Sequence, residues 1–210
     1  MSQVTIIDYG SGNLHSIEKS FEKEVQDKAM RVVVSDKAED IERASHIVLP
    51  GVGAFGDCIE GLQKLSGMQQ ALEENVIKQR KPFMGVCVGM QMLADEGFEN
   101  GSHKGLGWIS GKVKPITPND SSLKIPHMGW NEIKIEKQHP VLDGINSGDH
   151  VYFVHSYHFD CVDKNNALAS VDYGQRIVSV VANDNIVAAQ FHPEKSQSTG
   201  LKFISNFLKM

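Results

Sequence analysis

The sequence predicts an α/β protein in three layers. Its central sheet is mainly parallel and doubly wound in the first half, with an antiparallel or mixed extension in the C-terminal half. Three observations predict this. Up to about residue 96, short apolar runs alternate with stretches of helical spacing, the pattern of strands joined by crossover helices. From about Gly97 the strand-like pieces follow one another directly, separated by turn residues. The 210 residues, 40% hydrophobic and 22% charged, have the composition of a globular chain able to close one core, so a single domain over 1–210 is expected.

Residues 4–8 are an apolar run closed by Tyr9-Gly10-Ser11-Gly12-Asn13. Leu14, Ile17 and Phe21 then share one helical face, with Asn13 placed to cap it. A glycine loop between strand and helix invites a dinucleotide reading, but the third glycine of that fingerprint falls on His15, so the loop is an exposed turn and no cofactor is expected. Residues 31–34 form a second strand and 36–44 a short polar helix. Residues 46–49 form a third strand that runs into Pro50-Gly51-Val52-Gly53-Ala54-Phe55. Phe55, Ile59, Leu62 and Leu65 make the next helix amphipathic, with Cys58 beside its apolar face as core packing. A helix over 68–79 delivers the chain to the strand at 83–87.

That strand ends in Gly85-Val86-Cys87-Val88-Gly89 and precedes a helix-compatible stretch, the form of a nucleophile elbow with cysteine at its apex. The turn is so tight that only glycine fits beside the nucleophile, and the helix N-terminus that follows favours a thiolate. Asn13, Gly53 and Cys87 all fall at C-terminal strand ends, where open α/β sheets place their sites. In the second half, strands are expected at 112–116, 131–135, 151–159, 167–172, 177–182 and 186–191, and a helix over 198–210 closes the chain. Near the end, Phe191-His192-Pro193-Glu194-Lys195 offers an imidazole and a carboxylate two residues apart. A cysteine nucleophile needs that combination of base and orienting group.

The net charge of −5 gives no reason to expect nucleic acid. No apolar stretch is long enough for a membrane span, and the chain starts directly on a strand, so a cytoplasmic protein is expected. Three cysteines, Cys58, Cys87 and Cys161, suit a reducing compartment rather than a disulfide framework. On one strand over 151–159, His150 and His158 would share a face and His155 the other, too far apart for one ion, so no metal is expected. By the same parity Cys161 is packing.

The glycine loop at Gly51 and Gly53, the elbow at Cys87 and His192-Pro193-Glu194, in that order, resemble the class I (triad) glutamine amidotransferases, a flavodoxin-like fold. The stretches 8–13, 50–57, His127-Met128-Gly129-Trp130-Asn131, 152–157 and His192-Pro193-Glu194-Lys195-Ser196 are further similar to the glutaminase subunits of imidazole glycerol phosphate synthase, over essentially the whole chain. The resemblance implies that Cys87 forms a γ-glutamyl thioester, that His192 is general base and then acid, and that Glu194 orients it. It implies an oxyanion hole from the backbone N–H groups of Gly53 and Val88. It assigns Gly51, Gln91, Glu99, Ser156 and Tyr157 to the substrate glutamine. Asn13, Trp130, Tyr152 and Lys195 would face a partner, a cyclase subunit of (β/α)₈ barrel form in a heterodimer. The polar neighbours His127 and Asn131 favour exposure of Trp130. An amino-sugar acceptor pathway and a catalytically silent subunit are the competing readings. Glycines on either side of Val52 suggest that the Val52–Gly53 peptide turns over easily, with the donor turned away while the subunit is free.

Overall fold

A computed structural model of the chain describes residues 2–26 and 28–210. Strands β1 (Ser2–Ile7), β2 (Met30–Ser35), β3 (His46–Gly51) and β4 (Phe83–Cys87) form its parallel half. Around them run α1 (Leu14–Val25), α2 (Ala38–Arg43), α3 (Phe55–Lys64), α4 (Met68–Leu72) and the four-residue α5 (Val88–Gln91). Two-residue strands β5 (Glu96–Gly97) and β6 (His103–Lys104) follow. Then come β7 (Gly111–Pro115), β8 (His127–Ile135), β9 (His150–His155), β10 (Tyr157–Cys161), β11 (Ala167–Asp172), β12 (Arg176–Asn183), β13 (Ile186–Ala189) and α6 (Gln197–Phe207).

Nine strands make the main sheet, in the order β2-β1-β3-β4-β13-β12-β11-β8-β9. Pairing is parallel from β2 to β13 and antiparallel from β13 to β9. β3 and β4 are buried along their whole length, which is why they read as unbroken apolar runs rather than alternating ones. β8 and β9 alternate instead: Ile133, Val151 and Phe153 point inward while Met128, Trp130 and Glu132 face solvent. The helices pack in two groups, α1 with α6, and α2 and α3 with α4. This is the mixed α/β sheet that the sequence predicts, with its antiparallel extension in the second half.

Four differences have identifiable causes. The strand expected over 151–159 is two strands: the chain leaves the main sheet after His155, turns at Ser156, and re-enters as β10 of a four-stranded sheet ordered β10-β7-β5-β6. His150 and His158 therefore do not share a strand face at all. The helix expected over 68–79 is α-helical only to Leu72 and continues as a π-helix over Glu73–Lys78. Asn13 stands at the N-cap of α1 without a side-chain capping bond, because its backbone (φ −85°, ψ 63°) is not in the extended region from which a cap reaches the first turn. His127, the polar neighbour that favours exposure of Trp130 in the sequence reading, is itself buried, stacked between the rings of Phe153 and Tyr173 at 4.7 and 4.1 Å, while Trp130 is exposed.

Candidate active site

β4 lies between β3 and β13 in parallel register, Gly51 level with Cys87 and Ala189 level with Val86. Three C-terminal strand ends thus meet at one point. Cys87 has φ +56° and ψ −111°, a conformation that non-glycine residues rarely adopt and that turns its side chain out of the strand direction. The glycines around it are sterically required. A Cβ on Gly89 would stand 1.9 Å from the carbonyl oxygen of Leu49, and one on Gly85 would stand 2.7 Å from that of Gly89. Because α5 has only four residues, the dipole assistance expected for a thiolate shrinks to a single turn of N–H groups.

A pocket of about 460 Å³ opens over the elbow. Cys87 and His192 stand in its wall with Gly53 and Val88, as do Gln91, Glu99, Ser156 and Tyr157. Gly51 is not in this wall; it sits beside it, where a Cβ would strike the Gly89 nitrogen and the Tyr9 hydroxyl, so only glycine packs there. His192 precedes a 3₁₀ turn over Pro193–Lys195 that folds Glu194 back, and Nδ1 of His192 lies 2.8 Å from Oε1 of Glu194. Both side chains are almost wholly buried. Burial alone disfavours an imidazolium here, but Cys87 and Glu194 together outweigh it and lift His192 to about 10. Nε2 of His192 makes no full hydrogen bond, so its coupling to Cys87 is loose, as is common before substrate arrives. This constellation can supply a nucleophile, a proton carrier and an orienting carboxylate.

Two of the predicted substrate residues are already partly engaged. Oε2 of Glu99 accepts from the N–H of Phe55 at the head of α3 (2.8 Å). The amide nitrogen of Gln91 donates to the Tyr157 carbonyl (2.9 Å) and to Oε1 of Gln190 (3.0 Å), leaving its own oxygen for a ligand. Beside the pocket, the carbonyl of Val52 accepts from the Ser11 hydroxyl and, at 3.4 Å, from the Cys58 thiol. Away from the pocket floor, Trp130 and Tyr152 meet edge to face (centroids 6.0 Å apart), and the Lys195 ammonium sits 5.6 Å from the Tyr152 ring centre. Trp130 is 47% exposed and Met128 61%. Asn13 is half-buried at the head of α1, which packs on the turn carrying Lys195.

Sequence reasoning missed two residues here. Gln190 is fully buried, and its amide nitrogen lies 3.8 Å from the Cys87 sulfur. Its signal was strand parity, since it lies two residues before His192 and faces the same way. Ser196 accepts from the N–H of Tyr152 (2.9 Å) and donates to the carbonyl of His192 (2.7 Å), a tie that only the tertiary structure reveals. Among the described residues no group of His, Cys, Asp and Glu is placed to hold a metal ion, and no helix is long and apolar enough to cross a membrane.

The profile of the family described as glutamine amidotransferase class-I matches residues 5–210. Imidazole glycerol phosphate synthase subunit HisH of Cereibacter sphaeroides is 51% identical over 204 residues, covering 97% of this chain and 96% of the relative. The HisH subunit of Rhodospirillum rubrum is 51% identical over 210 residues, covering 99% and 98%. A solved structure of a glutamine amidotransferase superposes with a TM-score of 0.72 at 17% identity, covering 98% of this chain and 97% of that one, which speaks to the fold. With the elbow, the His-Pro-Glu turn and the sheet all in place, the chain belongs to the class-I glutamine amidotransferases, in the branch of the HisH subunit of imidazole glycerol phosphate synthase.

Proposed function

We propose that this chain, acting as one amidotransferase domain, hydrolyses glutamine at Cys87 and passes the ammonia to a cyclase subunit of imidazole glycerol phosphate synthase. The observation that carries this reading is the meeting of Cys87, at positive φ, with the His192–Glu194 pair in one pocket wall. The Cys87 sulfur attacks the carboxamide carbon, and the N–H groups of Gly53 and Val88 receive the developing oxyanion. Such donors are typically worth ~3–4 kcal/mol each in the transition state. His192 gives its proton to the departing ammonia, leaving a γ-glutamyl thioester. It then takes a proton from the water that attacks the thioester, and glutamate leaves as the sulfur is restored. Glu194 holds Nδ1 throughout and keeps Nε2 toward the sulfur. Gln91, Glu99, Ser156 and Tyr157 supply the polar wall for the amino acid's charged end.

The partner in this reading is a (β/α)₈ barrel, paired with this chain as a heterodimer in the cytoplasm. It uses ammonia to make imidazole glycerol phosphate and aminoimidazole carboxamide ribonucleotide in histidine biosynthesis. The relatives' names support this acceptor, and the exposed cluster of Trp130, Tyr152 and Lys195 supports a protein surface at that end of the sheet. A glutamine-like electrophile tests the nucleophile. Burial raises the Cys58 thiol and pushes that of Cys161 to about 12, so neither competes as a thiolate. The electrophile is expected to label Cys87 alone, with protection by glutamine, and Cys87→Ala is expected to abolish glutaminase activity. Labelling at Cys58, or activity in Cys87→Ala, refutes the assignment.

A further inference from the structure

We propose that Gln190 is a catalytic residue of this site: its side-chain amide donates to the Cys87 sulfur and stabilises the thiolate, in an orientation that Gln91 and the Tyr157 carbonyl impose. The inference rests on Cys87 being the nucleophile and goes beyond the Cys87, His192 and Glu194 set. Register places the residue. Ala189 of β13 is level with Val86 of β4, so Gln190, one step on, is level with Cys87. Its backbone N–H is held by the Ser179 carbonyl at 2.9 Å, and Phe191 beside it is locked in the core against Phe153 and Phe203. The strand end therefore cannot turn Gln190 away. It is fully buried, and its amide nitrogen stands 3.8 Å from the sulfur.

Which end of an amide faces a partner has to be decided from the network around it. Here a backbone carbonyl decides it. The Tyr157 oxygen can only accept, so the nitrogen of Gln91 must face it at 2.9 Å. The second N–H of that nitrogen reaches the Gln190 oxygen at 3.0 Å. The Gln190 oxygen is then committed to Gln91, and its NH₂ group is the end left to face sulfur. A donor bonds more strongly to a thiolate than to a thiol, so this arrangement favours the charged form that attacks glutamine. The ionisable groups acting on Cys87 are His192, from the turn after β13, Tyr9, from the loop after β1, and Cys58, on α3. Burial keeps Tyr9 and Cys58 protonated and neutral. That leaves the His192 cation and the Gln190 dipole, beside the single turn of N–H groups at the head of α5, as the stabilisers of negative charge on sulfur.

The test reads the thiolate directly. In the full chain, alkylation of Cys87 by iodoacetamide is followed against pH by mass spectrometry, which separates Cys87 from Cys58 and Cys161. Gln190→Met keeps the volume and removes the donor. Its alkylation midpoint is expected to rise by about half to one pH unit, with kcat of the assembled synthase down about 10-fold and KM for glutamine within about twofold. A packing role alone would lower the melting temperature and leave the midpoint where it is. Wild-type chain carrying ¹⁵N-glutamine provides a reading that needs no variant to fold. The Gln190 side-chain resonance is expected to shift at the alkylation midpoint, and that shift is expected to vanish in Cys87→Ala. An unchanged midpoint in folded Gln190→Met, or a Gln190 resonance indifferent to the Cys87 titration, overturns this inference and leaves the nucleophile intact. Failure of Cys87 to alkylate or to support activity would instead refute the reading beneath it.

Discussion

The backbone N–H of His192 donates to the carbonyl of Tyr152 at 2.9 Å. One residue of the candidate base is thereby bonded to one residue of the exposed aromatic cluster, and the Ser196 hydroxyl bridges the same two backbones from the other side. The edge strand β9 and the catalytic turn move together or not at all. Ser196→Ala removes both bonds of that hydroxyl and strands the Tyr152 N–H, while the His192 carbonyl keeps only the N–H of Lys195 at 3.0 Å. It is expected to cost about 1–3 kcal/mol of stability. The kcat of the assembled synthase should fall with it, because His192 loses its fixed height above Cys87. Denaturant unfolding and steady-state kinetics check the two effects.

Glu194 and His192 predict a pH signature. The folded His192 binds its proton up to about 10, against 6.5 for the unfolded residue. A group raised on folding contributes its full stability below the unfolded value and loses it as pH climbs to the folded one. Glu194→Gln weakens that hold on the proton. The melting-temperature gap between wild type and Glu194→Gln is expected to be widest near pH 6 and to close toward pH 10, as thermal scans across that range would show. In the proposed mechanism Glu194 orients a base without being consumed, so its loss should also slow the reaction less than Cys87→Ser does.

Two glycines of the site separate packing from conformation. Gly89→Ala drives a methyl to 1.9 Å from the Leu49 carbonyl, a rigid backbone neighbour, and is expected to cost about 3 kcal/mol or more. Gly53→Ala meets open space but keeps a φ of +99°, so it is expected to cost only about 1 kcal/mol while disturbing the proposed oxyanion donor. The first variant should unfold early; the second should fold well and turn over slowly. Melting temperature and kcat, measured on both, distinguish these outcomes.

Trp130 tests the partner face. A large, half-exposed aromatic braced by Tyr152, whose ring in turn lies against Lys195, has the form of an interface anchor. Trp130→Ala is expected to weaken association with the cyclase subunit about 10-fold or more. Labelling of Cys87 in the free chain should stay as in wild type. Titration of the partner, followed by calorimetry, measures the first effect.

The parallel half was legible because its buried strands leave unbroken apolar runs and because glycine and proline punctuate their ends. The elbow was legible for the same reason: Gly85, Cys87 and Gly89 answer to local sterics. The break at Ser156 was not, since neither glycine nor proline marks it and the residues on both sides alternate as one strand would. Nor was the burial of His127, which depends on Phe153 and Tyr173, far away in sequence. The mobility expected of the Val52–Gly53 peptide was read from its glycines alone. The structure adds the Ser11 hydroxyl and the Cys58 thiol on the Val52 carbonyl, so turning that peptide means breaking both bonds, at about 1 kcal/mol each. Steric freedom was visible in the sequence; the restraint was tertiary.

The turn at Ser156 gives the site a mechanical character. On one side of it β9 is the edge of the nine-stranded sheet, and on the other β10 is the edge of the four-stranded one. Ser156 and Tyr157 stand in the pocket wall at that junction, and the Ser156 carbonyl is pinned by the N–H of Ile116 just past β7. On the proposed reading, a glutamine seated there would span a seam, touching one sheet through Cys87 and the other through Tyr157. Substrate would then work as a rivet between two plates, and any force that parts the plates would be felt first as a loosened grip on the amino acid.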